Sequence, residues 1–545
     1  MLDRSGTGPA GTGLAGTAAL VRLNLRRDRV LLPAWLVALV ATLYASVAGT
    51  ADLYPTPESR QQAAAVIAEN PAVIALYGPA TDLGTLGGLA TWKPNTFLAV
   101  LVALMSMFLV VRHTRAEEEA GRLELVGAGA VGRHAPLTAA MAVAFGANLL
   151  LAALMAVSLL GQDLPRAGVL ALSAGFGAVG CVFAAVAAVG AQLTASSRTA
   201  NGITAGVLGA AFLLRAVGDA AGGGASWLSW LSPIGWVQKV RPFGELHWWP
   251  LLLPVAMAVL ATTAAYLLAG RRDLAAGLLP PRPGPAHAGP ALRSAFALAW
   301  RLHRGSPLGW VAGFAVLGSA MGSVASSIGG AIGDNRQLSE FLERVGGTTL
   351  LVDAYLATSM GIAAVVATAF AVQATLRLRA EEAAQRAEPL LATGVGRTGW
   401  ALSHYGIAVL GPAVLLAVAG VAGGLAHGAR VDDLGRQFPR VFGAAMVQLP
   451  AVWVVAGLTL AVFGLVPRYA GAGWAALVLF LLLAELGPTF ELDQRVLDLS
   501  PFVHVPRLPF AELTVAPLLV LTAVAAAMSA VGLAALHRRD FGCAL

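Results

Sequence analysis

The chain has 545 residues, of which 57% are hydrophobic and only 12% are charged, and its mean hydropathy is +0.73. Soluble domains carry about a quarter charged residues, so a soluble globular protein is excluded and a polytopic membrane protein is predicted. The net charge is +7, and the basic residues are spread over short loops. A nucleic-acid-binding protein would cluster them on one face, so that class is excluded. We therefore interpret the basic residues as indicators of membrane topology.

The N-terminal region has no compact apolar segment of the kind found in a cleavable signal peptide. Within it, residues 14–29 place apolar side chains and arginines on different faces at helical spacing. This pattern indicates either a helix in the headgroup layer or simply the basic flank of the first span, and both interpretations stay open. The same pattern returns at 291–304.

Twelve apolar runs approach or exceed the ~20 residues that a helix needs to cross the hydrocarbon layer. In the first half of the chain they lie at 30–49, 95–111, 137–160, 167–195, 202–221 and 249–270. In the second half they lie at 306–328, 353–376, 401–427, 441–466, 470–487 and 515–536. The predicted fold class is therefore all-α, a polytopic membrane protein with about 12 transmembrane helices in two six-helix repeats.

The arginines give an orientation. Most of the 36 lysines and arginines lie in loops on the side that both termini share. Because short basic loops stay in the cytoplasm, both termini are predicted to be cytoplasmic, in a multi-pass protein of the cell membrane. Six spans return the chain to its starting side, so the transmembrane halves 1–270 and 291–545 are predicted to be parallel repeats. Residues 271–290 between them contain five prolines and are predicted to be an extended cytoplasmic linker.

A charged segment occurs twice at a constant offset of 264 residues, as RAEEEAGRLELVGAGAVGR at 115–133 and RAEEAAQRAEPLLATGVGR at 379–397. We call these the first and second charged blocks. In a helix that leaves the membrane, Glu118 would pair with Arg122, and the matching glutamate and arginine of the second block would pair likewise. A duplicated charged block in a charge-poor chain predicts a duplicated partner in the water, whose motion the block passes to the membrane helices as a lever. The alternative is a solvated helix end that pairs only with itself.

The residues predicted to couple the chain to that partner are Arg115, Glu117, Glu118, Gly121, Arg122, Glu124, Gly132, Arg133, Arg379, Glu381, Glu382, Arg386, Glu388, Gly396 and Arg397.

The second charged block contains a proline that the first lacks. The ring of Pro389 would clash with the carbonyl of Gln385 if a helix continued through it. The first block has no such break, so its helix is predicted to run on and turn at Gly127 and Gly129. We therefore expect the two blocks to differ in shape, with the first dominating the coupling.

Segments rich in proline precede the last span of each half, at 231–250 and 499–517, and we call them the first and second loop segments. Their prolines interrupt a through-running helix, and the tryptophans of the first suit the membrane interface. Two interpretations of these segments stay equally open: short re-entrant helices at the outer face, or an ordered loop within an aromatic belt. The residues assigned here are Ser232, Pro233, Trp236, Pro242, Phe243, Glu245, Ser500, Pro501, Pro509, Phe510 and Glu512. Segments 50–93 and 329–352 are predicted to be partly helical extracellular lids.

Motifs for cofactor binding are absent or out of context. A Walker A loop requires a lysine that reaches the phosphates, and neither Lys93 nor Lys239 lies in such a motif, so ATP binding in this way is excluded. Gly175, Gly177 and Gly180 spell GxGxxG inside an apolar run, without the strand and turn of a dinucleotide site. They predict close helix packing, as do the small residues at 318 and 322.

Catalytic and metal-binding patterns are likewise not evident. There is no HExxH or GxSxG, and the histidines do not cluster at ligand spacing, so neither an enzyme nor a metal site is expected. Cys181 and Cys543 are too far apart for a disulfide framework. Arg215 and Asp219 fall at i,i+4 in the fifth predicted span, and we interpret them as a self-neutralised pair. A proton relay involving Asp219 and Glu485 is the alternative.

The first charged block resembles the segment after the second span of type-2 ABC exporter permeases, roughly E-x-E-x-G-x-L-E-x-L-x(4)-V-x-R. The second departs from this pattern, since Gln385 replaces Gly121 and Ala387 replaces Leu123. The LSPxGW…RPFGE…WWP run of the first loop segment is similar to actinobacterial antibiotic and multidrug exporter permeases with two fused halves. Positions that match the first pattern are Glu117, Glu119, Gly121, Leu123, Glu124, Val131 and Arg133.

This resemblance implies two helix bundles with a path between them, and two copies of a nucleotide-binding ATPase subunit docked beneath. The ATPase would bind ATP and Mg, so this chain would hold no cofactor and hydrolyse nothing. The leading hypothesis is a permease subunit that exports hydrophobic, drug-like small molecules through the lipid bilayer. A twelve-span proton-coupled drug antiporter is the alternative, and a non-transporting membrane scaffold is the third possibility.

Overall fold

The computed structural model describes residues 13–67, 74, 77–129, 131–220, 226–273, 276–279, 287–289, 292–305, 307–333, 348–486 and 493–539. Over these residues it contains helices and no strand, which confirms the predicted all-α class. The chain forms two compact units, Met1–Gly284 and Pro285–Leu545, called unit 1 and unit 2. The prolines of the predicted linker and the second predicted lid helix, 336–345, lie outside the described residues.

Unit 1 contains α1 (Thr17–Arg27), α2 (Leu31–Leu53), α3 (Pro57–Ile67), α4 (Leu86–His113), α5 (Arg115–Glu119), α6 (Arg122–Gly127), α7 (Ala135–Leu159), α8 (Arg166–Leu193), α9 (Ser197–Ala220), α10 (Pro233–Gln238) and α11 (Leu252–Gly270). Short 3₁₀ helices cover Ser226–Leu231 and Trp249–Leu251. The helices α1 and α3 fall within the predicted N-terminal amphipathic segment and the first predicted lid.

Unit 2 contains α12 (Ala295–His303), α13 (Pro307–Gly333), α14 (Thr348–Ala383), α15 (Ala387–Leu391), α16 (Arg397–Arg430), α17 (Leu434–Met446), α18 (Leu449–Leu465), α19 (Ala472–Leu486), α20 (Gln494–Leu497) and α21 (Val515–Arg538). Short 3₁₀ helices cover Pro467–Tyr469 and Pro501–His504.

Eleven helical segments among the described residues are long and apolar enough to cross a membrane. Two of them join consecutive helices, α4 with α5 over Leu86–Glu119 and α17 with α18 over Leu434–Leu465. Each of the eleven coincides with one of the twelve predicted spans. The remaining prediction, 470–487, corresponds to α19, which is shorter at 15 residues. The protein is therefore a polytopic helical membrane protein.

One helix lies at the centre of each unit. In unit 1, α8 packs against α4, α7, α9 and α11, and Leu172, Phe176 and Val179 on it are fully buried. In unit 2, α18 packs against α14, α16, α19 and α21. Both helices are apolar on every side, as expected for helices that other helices surround. The C-terminal ends of these two central helices contact the charged blocks described below.

The GxGxxG motif lies on α8 and brings neighbouring segments close. A Cβ atom on Gly180 would lie 1.8 Å from Oδ1 of Asn148 on α7, and one on Gly175 would lie 2.4 Å from Cγ1 of Val237. On α13, a Cβ on Gly318 or Gly322 would lie 2.3 or 2.2 Å from a carbonyl oxygen of α16. The predicted packing role of these glycines is confirmed.

Adding one methyl group at Gly180 should measurably destabilise unit 1. Asn148 is fully buried, and its Nδ2 donates to Ser106 Oγ at 2.9 Å and to the Ala144 carbonyl at 2.8 Å. Gly180→Ala would displace this amide, at a cost of about 1–3 kcal/mol. Thermal unfolding of the purified protein followed by intrinsic fluorescence measures the loss. Gly209→Ala is the matched control, because nothing lies within 4 Å of a Cβ there; a lower melting temperature for both variants would contradict the packing role.

Candidate functional site

The first charged block reverses direction at one residue. The helix α4 ends at His113, α5 follows as far as Glu119, and Gly121 then adopts φ = +70° before α6 begins at Arg122. Glycine takes this left-handed conformation without a steric penalty. The expectation that this helix continues to Gly127 and Gly129 is therefore wrong, because the reversal at Gly121 separates α5 from α6.

The second charged block has the same form. Its helix α14 ends at Ala383, Gln385 adopts φ = +54°, and α15 follows. Pro389 is the third residue of α15, where a backbone N–H has no helical acceptor, so a proline is accommodated there. The predicted difference in where the two helices end is wrong. Glutamine replaces glycine at the reversal, and the backbone is left-handed at this position in both blocks.

The ion pairs across each reversal differ from those predicted. Glu118 does not pair with Arg122, nor Glu382 with Arg386. Instead, Arg122 donates to both carboxylate oxygens of Glu117 at 2.8 Å, and Nε of Arg386 donates to Glu381 at 2.8 Å. The left-handed residue turns the chain back, so residues five apart meet rather than residues four apart. The hydrogen bonds and charge of Glu117 raise the pKa of Arg122.

The next glutamate of each block binds an arginine that follows the last long helix of the same unit. Nη2 of Arg272 lies 2.5 Å from Oε1 of Glu118, just beyond α11. Nη2 of Arg539 lies 2.6 Å from Oε2 of Glu382, just beyond α21. In both units these carboxylates are largely buried. The pairing therefore links the end of the charged helix to the end of the last long helix.

The arginine that ends each block binds the same helix terminus through backbone carbonyls. Nη2 of Arg133 donates to the carbonyls of Ala269, Gly270 and Arg272 at 2.8–3.2 Å. Nη1 of Arg397 donates to two carbonyls beside α21, those of His537 at 3.1 Å and residue 539 at 2.7 Å. A cation at a helix C-terminus satisfies carbonyls that have no helical donor and complements the helix dipole.

The arginine that opens each block binds the end of the central helix. Arg115 is fully buried, and its Nε donates to the Ala191 carbonyl near the end of α8 at 2.9 Å. Its Nη1 lies 2.7 Å from Glu118. In unit 2, Nη1 of Arg379 donates to the carbonyls of Pro467 at 2.5 Å and Arg468 at 3.0 Å, directly after α18. Each block is thus fastened at two places in its own unit.

Among the residues that the structure describes, three further contacts of the first block have no counterpart in the second. Arg27 of α1 binds Glu117 at 2.8 Å, whereas in unit 2 the matching glutamate binds Arg377 of its own helix at 2.7 Å. The amide of Gly132 donates to the Ala15 carbonyl at 2.9 Å, which adds a backbone tie to the N-terminal segment. Oε2 of Glu119 accepts from the backbone N and Oγ of Ser197 at the start of α9, and the second block has alanine at that position.

The outward part of each block is exposed. Leu125 on α6 is 80% exposed, and Glu124 beside it is also exposed. On α15, Glu388 and Pro389 are exposed. Gly396 adopts an extended conformation at the N-terminus of α16 and is exposed too. The predicted coupling residues therefore divide into an internal arginine–carboxylate network and a short exposed helix in each unit.

Several members of this network were not predicted from the sequence. They are Arg27, Arg272, Arg377 and Arg539. A signal for two of them exists, since an arginine pair follows the last span of each half, at 271–272 and 538–539. The pattern identifies those arginines as a flank of a span but does not identify their partners.

The first loop segment forms a compact structure. Oγ of Ser232 accepts from the Gly235 amide and caps α10, which begins at Pro233. Trp236 Nε1 donates to the Trp230 carbonyl at 2.5 Å. After α10, the ring of Phe243 is buried against α4 and α8. Pro242 precedes that ring, and Glu245 lies 3.6 Å from Arg241 and is exposed.

The second loop segment does not reproduce this environment. Ser500 is buried and donates to the Phe480 carbonyl at 3.3 Å, and Pro501 begins a 3₁₀ helix. However, Phe510, which aligns with the buried Phe243, is 44% exposed, and Glu512 is exposed. Pro509, which precedes Phe510, follows a cis peptide bond. The sequence correspondence between the two loop segments therefore does not extend to their packing.

The buried charges in α9 form the predicted pair. Nη1 of Arg215 lies 3.6 Å from Oδ2 of Asp219, and both side chains are buried. The guanidinium also lies over the ring of Phe212, 4.7 Å from its centroid. The side chain of Glu485 lies outside the described residues.

Comparison with known proteins places these features in a family. The family model described as "Multidrug efflux system permease Rv1217c, C-terminal domain" matches residues 18–268 and 292–537, which contain both charged blocks and both loop segments. The multidrug efflux system permease protein Rv1217c of Mycobacterium tuberculosis (strain ATCC 25618 / H37Rv) is 46% identical over 536 residues. That alignment covers 98% of this chain and 96% of the relative. The chain therefore belongs to the family of multidrug efflux system permeases.

Proposed function

We propose that this chain is the membrane-spanning permease subunit of a type-2 ABC exporter. It would move hydrophobic, drug-like molecules out of the cell by alternating access, driven by two copies of a separate nucleotide-binding ATPase subunit that holds ATP and Mg. It would lie in the cell membrane with both termini in the cytoplasm. The observation that carries this proposal is the fastening of each charged block to two helix ends of its own unit, with an exposed helix beyond it.

The arrangement suits a lever. A force applied to α6 reaches α8 through Arg115 and α11 through Arg133, because charge-assisted hydrogen bonds join them directly. The same route exists in unit 2 through Arg379 and Arg397. Closure of two ATPases around nucleotide would then shift each unit from one of its two conformational states to the other. The block itself would not need to deform.

This mechanism is favoured over a proton-coupled antiporter by the duplicated blocks, which an antiporter does not require. The buried acid in α9, Asp219, has Arg215 as its neighbour, as expected for a neutralised pair rather than a relay. The ATPase partner, the ABC class and the driving force are tested by one biochemical experiment.

We expect the native ATPase to copurify with the chain and its hydrolysis to rise when hydrophobic drugs are added. Leu125→Asp should weaken this association at least 10-fold, about 1.4 kcal/mol, because the side chain is 80% exposed on α6 and would meet the partner's surface. Affinity in lipid nanodiscs measures the effect. Leu279→Asp, at another exposed leucine of unit 1, serves as the control. Failure of any ATPase to copurify, or equal affinity for both variants, would argue against the proposal.

The proposed orientation has its own test. In a cysteine-free background, single cysteines at Ala128 and Thr393 should be protected from an impermeant thiol reagent in intact cells. Cysteines at Glu58 and Glu512 should react. All four positions are exposed, so reactivity reports the side of the membrane rather than burial. Permeabilised cells provide the control, in which all four should be labelled. Labelling of Ala128→Cys in intact cells would overturn the cytoplasmic placement of the first block.

A further inference from the structure

A cavity of about 190 Å³ lies at the end of unit 1 farthest from the first charged block. The helix α4 runs from this cavity at Trp92 to the charged block at His113, and α8 likewise begins at this end. The cavity is lined by parts of the segments 77–82 and 235–243, by the first turns of α4 and by Asp219 on α9. Nothing in the proposed lever mechanism uses it.

Hydrogen bonds join the walls of the cavity. Nε1 of Trp92 donates to the Gly78 carbonyl at 3.0 Å, and Oγ1 of Thr96 donates to the Tyr77 carbonyl at 2.7 Å. Nε2 of Gln238 donates to Thr96 Oγ1 at 2.7 Å, which joins α10 to α4. Gly78 adopts φ = +103°, and a Cβ there would lie 2.6 Å from Nε2 of Gln238. The cavity at this end of unit 1 therefore has walls that hydrogen bonds hold in place, and it is not merely a gap between loops.

The rim of the cavity is closed by an ion pair between strained residues. Nη2 and Nε of Arg241 lie 2.6 and 3.1 Å from the two carboxylate oxygens of Asp82. The backbones of these two residues have φ = +48° and +61°, in the left-handed region that non-glycine residues rarely adopt. Such conformations cluster at ligand-binding sites. The hydrogen bonds to Asp82, together with its charge, raise the pKa of Arg241.

The cations around the cavity already have partners. Arg241 binds Asp82, and the Lys239 ammonium lies over the Trp230 ring, 4.8 Å from its centroid. The guanidinium of Arg215 lies beside Asp219. An anionic ligand would have to compete with these partners for a positive charge.

Two acceptors in the lining lack a hydrogen-bond donor, although one of them, Oδ2 of Asp219, has Nη1 of Arg215 as an ion-pair neighbour at 3.6 Å. Among the residues that the structure describes, neither Oδ2 of Asp219 nor Oε1 of Gln238 accepts a hydrogen bond, and the Asp219 side chain is only 4% exposed. The orientation of the Gln238 amide follows from the Tyr77 carbonyl, which can only accept, at 3.4 Å from Nε2. A buried acceptor without a donor is costly, so the cavity favours a ligand that brings N–H groups.

We propose that this cavity binds a small organic ammonium about one aromatic ring in size. The N–H groups would bind Asp219 and Gln238, and the apolar part would lie against Trp92 and Tyr77, whose ring centroids are 5.3 Å apart. Aromatic faces also attract cations directly. A 150 Å³ cavity holds benzene, so 190 Å³ admits one ring with a short charged arm.

The test uses three probes of matched size with the purified full-length chain in lipid nanodiscs, without ATPase or nucleotide. Calorimetry should show that phenethylammonium binds at least 10-fold tighter than 2-phenylethanol, and that phenylacetate binds more weakly still. Asp219→Asn should remove most of the preference for the ammonium over the alcohol. Equal binding of the three probes, or preference for phenylacetate, would overturn the proposal.

A second variant keeps the test decisive if Asp219→Asn does not fold. Asn95 lines the cavity, and Asn95→Trp would fill it without removing any of the hydrogen bonds described above. This variant should lose phenethylammonium binding while its thermal unfolding stays close to that of the native chain. Unchanged binding by Asn95→Trp would place the ligand elsewhere. Because no ATPase is present, the result is independent of the proposed export function.

Discussion

Substitution of Gly121 by proline should abolish drug export, and substitution of Gln385 by proline should abolish it equally. Both residues reverse the chain in the left-handed region, at φ = +70° and +54°, whereas proline is fixed near −65°. Either variant would lose the reversal that places the short exposed helix, together with the ion pair across it. Accumulation of a fluorescent drug in intact cells, normalised to the amount of protein in the membrane, measures the loss.

Two milder substitutions separate backbone conformation from side-chain chemistry. Gly121→Asn should retain most export, because asparagine enters the left-handed region more readily than other non-glycine residues. Pro389→Ala should also be tolerated, since Pro389 lies in the first turn of α15. If Gly121→Pro exported normally, or if Gln385→Pro were harmless while Gly121→Pro was not, the equivalence of the two reversals would be refuted.

Replacing Arg115 by leucine should uncouple unit 1. The arginine is fully buried and joins the Ala191 carbonyl to Glu118, so its loss leaves a buried carboxylate and a buried carbonyl with fewer donors. Breaking a buried ion pair by removing one partner costs about 3–5 kcal/mol. We expect a lower melting temperature and loss of drug-stimulated ATP hydrolysis, even at temperatures where the variant remains folded.

Lysine should not restore function at this position. Arg115 uses its planar fork to reach the Ala191 carbonyl and Glu118 together, and a single ammonium cannot reproduce that geometry. Arg26→Ala is a suitable control, because Arg26 is an exposed arginine on α1. Normal stimulation of hydrolysis by Arg115→Leu would show that the block transmits motion by another route.

Composition and residue spacing were sufficient to predict the fold class, eleven of the spans and the packing role of the glycines on α8 and α13. These follow from the length of apolar runs and from the absence of side chains at close helix crossings. The positions of both charged blocks were also predictable, because the repeat is visible at a fixed offset.

Predictions of side-chain partners were less successful, for physical reasons. Helical spacing favoured a Glu118–Arg122 pair, but a single left-handed residue changed the spacing to five. Pro389 predicted a break, but it falls in the first turn of a new helix. The pairing of Glu118 with Arg272 joins residues 154 positions apart, which meet where α11 packs against α8.

The reliance of Arg133 and Arg397 on main-chain oxygens has a consequence for how these proteins can vary. Every amino acid supplies the same carbonyl, so a saturation library at 269–270 or 537 should return many functional sequences. The donor positions 133 and 397 should return almost none. A designer who exchanges the last helix of either unit with that of a relative would therefore need to match its length and ending point, and could largely disregard the identity of its final residues.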